Sequence, residues 1–158
     1  MTLDAPDMAT IPAGEFVMGS DDHGANESPA HVVWVDAFAI SPYAVTNADY
    51  GRFLDASGHD APPFWGDDGL SDPRQPLVGP SWSDAVAYCD WLGALTGDVC
   101  RLPTEAEREK ASRGGRTTAY PWGDDLPSEH RGGRHSQPEP VDAYAPNGYG
   151  LYGMASGV

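Results

Sequence analysis

Two cysteines, five histidines and three doublets of aspartate are the residues of this chain best suited to hold a metal or move electrons. Cys89 and Cys100 stand eleven positions apart. That spacing matches no paired-cysteine zinc pattern, and two thiols are too few for a disulfide framework. The pair reads first as unpaired thiols, with a disulfide or a copper pair as the alternatives. His130 and His135 flank Arg131, Gly132, Gly133 and Arg134. The neighbouring guanidinium charge disfavours a bound cation, so these read as solvated loop histidines. Asp21-Asp22, Asp67-Asp68 and Asp124-Asp125 offer the hard oxygens that calcium takes, about six to eight at a time. None has the spacing of a calcium-binding helix-loop-helix, and each doublet reads first as solvated surface. No serine lies in a G-x-S-x-G elbow, and neither a lysine-bearing phosphate loop nor a dinucleotide fingerprint is present. A catalytic triad is defined in space, and nothing in the order of residues flags one.

The elements that must position these groups can be read from capping and periodicity. Ser81-Trp82-Ser83-Asp84 is a capping arrangement, and Ala85, Tyr88, Cys89, Leu92 and Leu95 recur at helical spacing until Gly97. This helix sets Cys89 among apolar neighbours, where a thiol acts as a small hydrophobe. Thr46-Asn47-Ala48-Asp49 starts another helix that carries Tyr50, Phe53 and Leu54 on one face and ends at Ser57-Gly58. Thr104-Glu105-Ala106-Glu107 is a capping box, and Gly114-Gly115 closes the helix it opens. Glu15-Phe16-Val17-Met18, after a turn at Pro12-Ala13-Gly14, predicts a strand, and His31 to Phe38 predicts a second. His59 to Pro80 is a loop rich in Pro and Gly, in which Phe64-Trp65 must either anchor the loop to the core or face a groove.

The chain has 158 residues, enough for one domain and one core. Apolar residues make up 40% and aromatics 10%, which suits a globular fold, while 19 Gly and 15 Pro predict long loops and short elements. Nine basic residues against a formal charge of −15 give no footprint for nucleic acid or an anionic membrane. No apolar run reaches the roughly 18 residues of a membrane span. The N-terminus Met1-Thr2-Leu3-Asp4 lacks the basic and apolar segments of a secretory signal, so a cytoplasmic location is expected.

In order along the chain stand Ile11-Pro12-Ala13-Gly14, Met18-Gly19-Ser20, His31-Val32-Val33 and Val45-Thr46-Asn47. Ser81-Trp82-Ser83-Asp84-Ala85-Val86-Ala87-Tyr88-Cys89 and Arg101-Leu102-Pro103-Thr104-Glu105-Ala106-Glu107 follow. Arg113-Gly114-Gly115, Tyr120-Pro121-Trp122-Gly123 and Asn147-Gly148-Tyr149-Gly150-Leu151-Tyr152 complete the set. The ordered set resembles the N-terminal portion of a formylglycine-generating-enzyme, or sulfatase-modifying-factor, domain across nearly the whole chain. The resemblance implies one incomplete domain over residues 1–158, with an α+β fold. That fold is the family's variant of the C-type-lectin-like fold, with little regular structure, a kinked sheet and, in this portion, three short helices.

Such enzymes oxidise a cysteine of a substrate protein to formylglycine with molecular oxygen and a copper ion held by two cysteines. By this resemblance the partner is a cysteine-containing protein or peptide, and the copper cysteines lie beyond Val158. The chain alone is then expected to be inactive, with an oxidoreductase activity belonging to a complete relative and no catalytic residue of its own. Cys89 resembles the family's helix cysteine, and Cys100 has no counterpart. Phe64 and Trp65 match the aromatic element lining the substrate groove, and Asp142 with Tyr144 matches a structural calcium site. Arg108 and Lys110 depart from the pattern, each standing where the family has an aromatic, and Gly153 to Val158 lacks an expected calcium-ligating asparagine. Two rival readings share the fold: a non-catalytic lectin-like binding module, and the partner domain of an ergothioneine-type sulfoxide synthase.

Overall fold

The computed structural model describes residues 7–21, 27–116 and 137–154. Among them the chain forms β1 (Ala9–Ile11), β2 (Gly14–Met18), β3 (His31–Val35), β4 (Phe38–Ile40), α1 (Asn47–Ser57), α2 (Trp82–Thr96) and α3 (Glu105–Arg113). His130, His135, Asp22, Asp124-Asp125 and Tyr120 to Gly123 lie outside the described residues.

The span from His31 to Phe38, expected as one strand, is divided. β3 pairs antiparallel with β2, and β4 pairs antiparallel with β1, a strand the sequence reading left out. Ile11 faces Phe38 and Gly14 faces Val35, so the register continues unchanged across the gap. The two small sheets are thus one hairpin ribbon interrupted where Pro12, which has no N–H to donate, and Ala13 stand opposite Ala37 and Asp36. The carbonyls released at the interruption have a partner from α3. Lys110 is 4% exposed, and its Nζ donates to the carbonyls of Pro12 (2.7 Å), Gly14 (2.9 Å) and Val35 (3.4 Å). The lysine that departs from the family's aromatic therefore fills that place with three hydrogen bonds. Arg108, the other departure, is exposed, so no guanidinium is buried there.

All three helices begin and end where the sequence predicts. Thr46, Ser81 and Thr104 each accept from the backbone N–H of the third helical residue, whose carboxylate in turn accepts from the cap's own N–H. Gly58, Gly97 and Gly114 end the helices in the left-handed conformation. Two cores result. Ile11, Ala111 and Leu151 bury the ribbon against α3 and the C-terminal segment, while Tyr50, Phe53 and Tyr88 pack α1 on α2. Asn147 fastens the C-terminal segment to the end of α3. Its side-chain amide donates to Ala111 O (2.7 Å) and Ser112 O (3.2 Å), and its Oδ1 accepts from Tyr149 N (2.9 Å) and Leu151 N (3.1 Å).

Candidate functional site

The loop between α1 and α2 has no regular structure, yet two buried amides order it. Asn47, the first residue of α1, donates through Nδ2 to Leu70 O (2.8 Å) and Asp72 O (2.9 Å), and its backbone N–H donates to Gln75 O (3.0 Å). Gln75, 7% exposed, donates to Gly69 O (3.1 Å) and Pro138 O (2.8 Å) and accepts from Asp72 N (3.2 Å). Each amide meets loop backbone groups that would otherwise lie buried and unpaired. The sequence reading quoted Asn47 only within a motif and did not single out Gln75. The available signal was the placing of a long amide amid Pro and Leu, where water is scarce.

On this frame the aromatic pair divides its work. Trp65 lies over α1: its ring is 5.9 Å from that of Tyr50, and a Cβ added at Gly51 would meet the indole at 3.7 Å. Phe64 points the other way and is 55% exposed. Its φ of 69° puts a bulky side chain in the left-handed region, which costs of order 1–3 kcal/mol unless the surroundings enforce it. The enforcement is local. Trp65 N donates to Pro62 O (3.3 Å) and Asp67 N to Phe64 O (3.1 Å). Gly79, at φ +82°, lets the chain approach so closely that a Cβ there would stand 2.7 Å from Pro63 O and 2.9 Å from the Phe64 ring.

The ends of the loop are held by side-chain contacts. His59 Nε2 lies 2.8 Å from Asp84 Oδ1, and Asp84 also caps α2. The His59 contact first, with Ser81 behind it, holds the Asp84 carboxyl down at about 2. Arg74 makes an ion pair with Asp142 across the loop, and Val141 N donates to Arg74 O (3.0 Å). Asp142, the candidate calcium ligand, therefore has its carboxylate occupied by Arg74. Tyr144 is half-buried nearby in sequence. Among the described residues no three His, Cys, Asp or Glu side chains converge on one point. Asp21 is likewise engaged, accepting from Ser28 Oγ (3.1 Å) and Ala30 N (3.0 Å).

The thiols lie elsewhere. Cys89 and Cys100 are unpaired and half-buried, and both line a cleft of about 640 Å³ walled by β4, α2 and the segment after α2. Burial, then the neighbouring Cys100 and Asp90, push the Cys89 thiol up, so it is held as a neutral thiol. Phe64 and Trp65 do not line this cleft. Of the sequence-predicted site residues, Phe64 and Trp65 thus lie on the loop over α1, Asp142 is paired with Arg74, and the two thiols line the cleft.

Comparison with known proteins agrees with this architecture. The family profile described as the sulfatase-modifying factor enzyme 1-like domain matches residues 1–158. A formylglycine-generating enzyme of Thermomonospora curvata is 34% identical over 98% of this chain and 70% of its own length. One from Mus musculus is 33% identical over 96% of this chain, which spans only 56% of that relative. A hercynine oxygenase of Mycolicibacterium smegmatis is 34% identical over 90% of this chain and 41% of its own length. Among solved structures, PvdO from Pseudomonas aeruginosa superposes with a TM-score of 0.77 at 30% identity, over 94% of this chain and 67% of that one. The α+β architecture expected from the sequence is thereby shown.

Proposed function

The chain belongs to the sulfatase-modifying factor family, and from that premise we propose that it is the substrate-holding portion of an oxidase of the formylglycine-generating type. The partner in this reading is an extended, cysteine-containing peptide laid along the 62–67 loop. The observation that carries it is Phe64, a bulky ring kept exposed at an unfavourable φ by Gly79 and by two backbone turns. A ring that keeps more than half of its surface exposed gains nothing from that arrangement unless something outside covers it. Trp65 fixes the loop to α1, and Phe64 presents the contact.

The chain's own thiols do not serve as the copper pair in this reading. Cys89 is held neutral by burial, whereas a copper ligand is a thiolate, and neither cysteine adjoins the Phe64 loop. Copper and oxygen would supply the one-electron chemistry, and residues of this chain would supply binding and orientation. Calcium at Asp142 and Tyr144 belongs to the proposal only as a competitor of Arg74 for the carboxylate.

The test is peptide binding by the intact chain, read by calorimetry with a cysteine-containing peptide. Phe64→Ala is expected to weaken binding by about tenfold or more while leaving the thermal midpoint within about 2 °C, as suits an exposed ring at a binding surface. Equal affinity in the two proteins would sink the proposal. The relative named hercynine oxygenase favours a second reading, in which the same loop faces a small thiol-related substrate. A preference for a free amino-acid derivative over the peptide in the same assay would select it.

A further inference from the structure

The two cysteines left without a role in that reading are placed for chemistry with each other. Cys89 lies on α2, and Gly93 follows one turn later, so a Cβ at position 93 would stand about 5 to 6 Å from that of Cys89. The chain after α2 folds back along this edge of the helix. At Gly93 an added Cβ would meet Asp98 O at 2.8 Å, Cys100 N at 3.4 Å and Cys100 Cβ at 3.7 Å. Glycine at 93 is thus what admits Cys100 to the row of α2 that carries Cys89. Both side chains open on the one cleft, and each acts electrostatically on Tyr88, which lines it too.

We propose that Cys89 and Cys100 are a redox-responsive pair that closes to an intrachain disulfide, fastening the segment after α2 to the helix and setting one wall of the cleft. The oxidant is a low-molecular-weight disulfide. The Cys100 thiolate attacks one of its sulfurs and expels a first small thiolate. The Cys89 thiol then loses its proton, displaces the second and closes the protein S–S bond. Two protein thiols are oxidised, one small disulfide is reduced to two thiols, and the two protons pass to them. Cys100 acts first because Cys89 is held neutral by burial and by its neighbour. Val99, 95% exposed, marks the solvent side from which the oxidant arrives.

The chain has two cysteines in all, so the product can be read without ambiguity. The 158-residue chain is equilibrated with mixtures of oxidised and reduced glutathione, quenched in acid, alkylated and cleaved at Arg. Both cysteines fall in the one peptide between Arg74 and Arg101. The expected result is coordinate loss of both thiols, with that peptide lighter by about 2 Da and unalkylated until reduced. Oxidised protein should also melt about 5 to 10 °C above reduced protein. Cys89→Ser in the same mixture should instead accumulate glutathione on Cys100, because the second thiol that would displace it is gone. Independent glutathione adducts on the two cysteines of the unaltered chain, or thiols that stay alkylatable at every ratio, would overturn the proposal.

Discussion

At the scale of single residues, the energetics turn on polar groups in apolar places. Asn47→Ala leaves the Leu70 and Asp72 carbonyls without their donor and is expected to cost about 2 to 3 kcal/mol in chemical denaturation. Lys110 gives a sharper contrast. Lys110→Met keeps the volume but abandons three carbonyls at the interrupted ribbon, so a loss of about 2 to 4 kcal/mol is expected. Arg108→Trp, which restores the family's aromatic two positions away, should stay within about 0.5 kcal/mol because the site is exposed. The Tyr50 hydroxyl runs the other way. It is buried and has no hydrogen-bond partner among the described residues, so Tyr50→Phe should be neutral or stabilising by up to about 1 kcal/mol. None of these costs was legible in the sequence. An Asn at a helix start looks like a capping residue until the loop it faces is known, and a Lys in a helix looks like a solvated charge.

At the scale of elements, the helices and two strand segments of the ribbon were legible, and β1 and the interruption of the ribbon were not. Three capping boxes and three left-handed glycines are local signals, set by backbone groups within one turn, and each was realised. The interruption of the hairpin is not local: it depends on Pro12 finding itself opposite Ala37, and β1 has only three residues to announce it. The start of α3 carries a pH signature. Arg101 donates to both oxygens of Glu107 at 2.7 Å, and this pairing, followed by the Thr104 backbone, holds the carboxyl down at about 2 against an ordinary 4.5. Because the folded value is the lower one, the contribution is whole above about 4.5 and is lost as the pH falls towards 2. Arg101 is more than half exposed, so screening reduces the contribution to about 1 to 2 kcal/mol. Glu107→Gln should therefore flatten the decline of thermal midpoint between those two pH values. An unchanged slope would remove this pair from the account of acid sensitivity.

At the scale of the whole molecule, two small cores share the work, one under the ribbon and one between α1 and α2. The second is aromatic, with Tyr50, Phe53, Tyr88 and Trp91 ring centres 5.1 to 5.8 Å apart. It is also the platform on which Trp65 seats the Phe64 loop, so Phe53→Ala should cost about 3 to 5 kcal/mol and disorder the loop with it. Membership in the family could be read from ordered motifs, since these encode caps, turns and the Asn147 clasp. The division of the candidate surface into a loop with Phe64 and a separate thiol cleft could not, because it depends on how the loop crosses α1. Hydrogen exchange of the intact chain, with and without a cysteine-containing peptide, tests that division most directly. The account predicts protection of residues 62–67 and 77–80 with α2 and residues 98–103 unchanged; protection confined to α2 and 98–103 would place the substrate in the thiol cleft and contradict it.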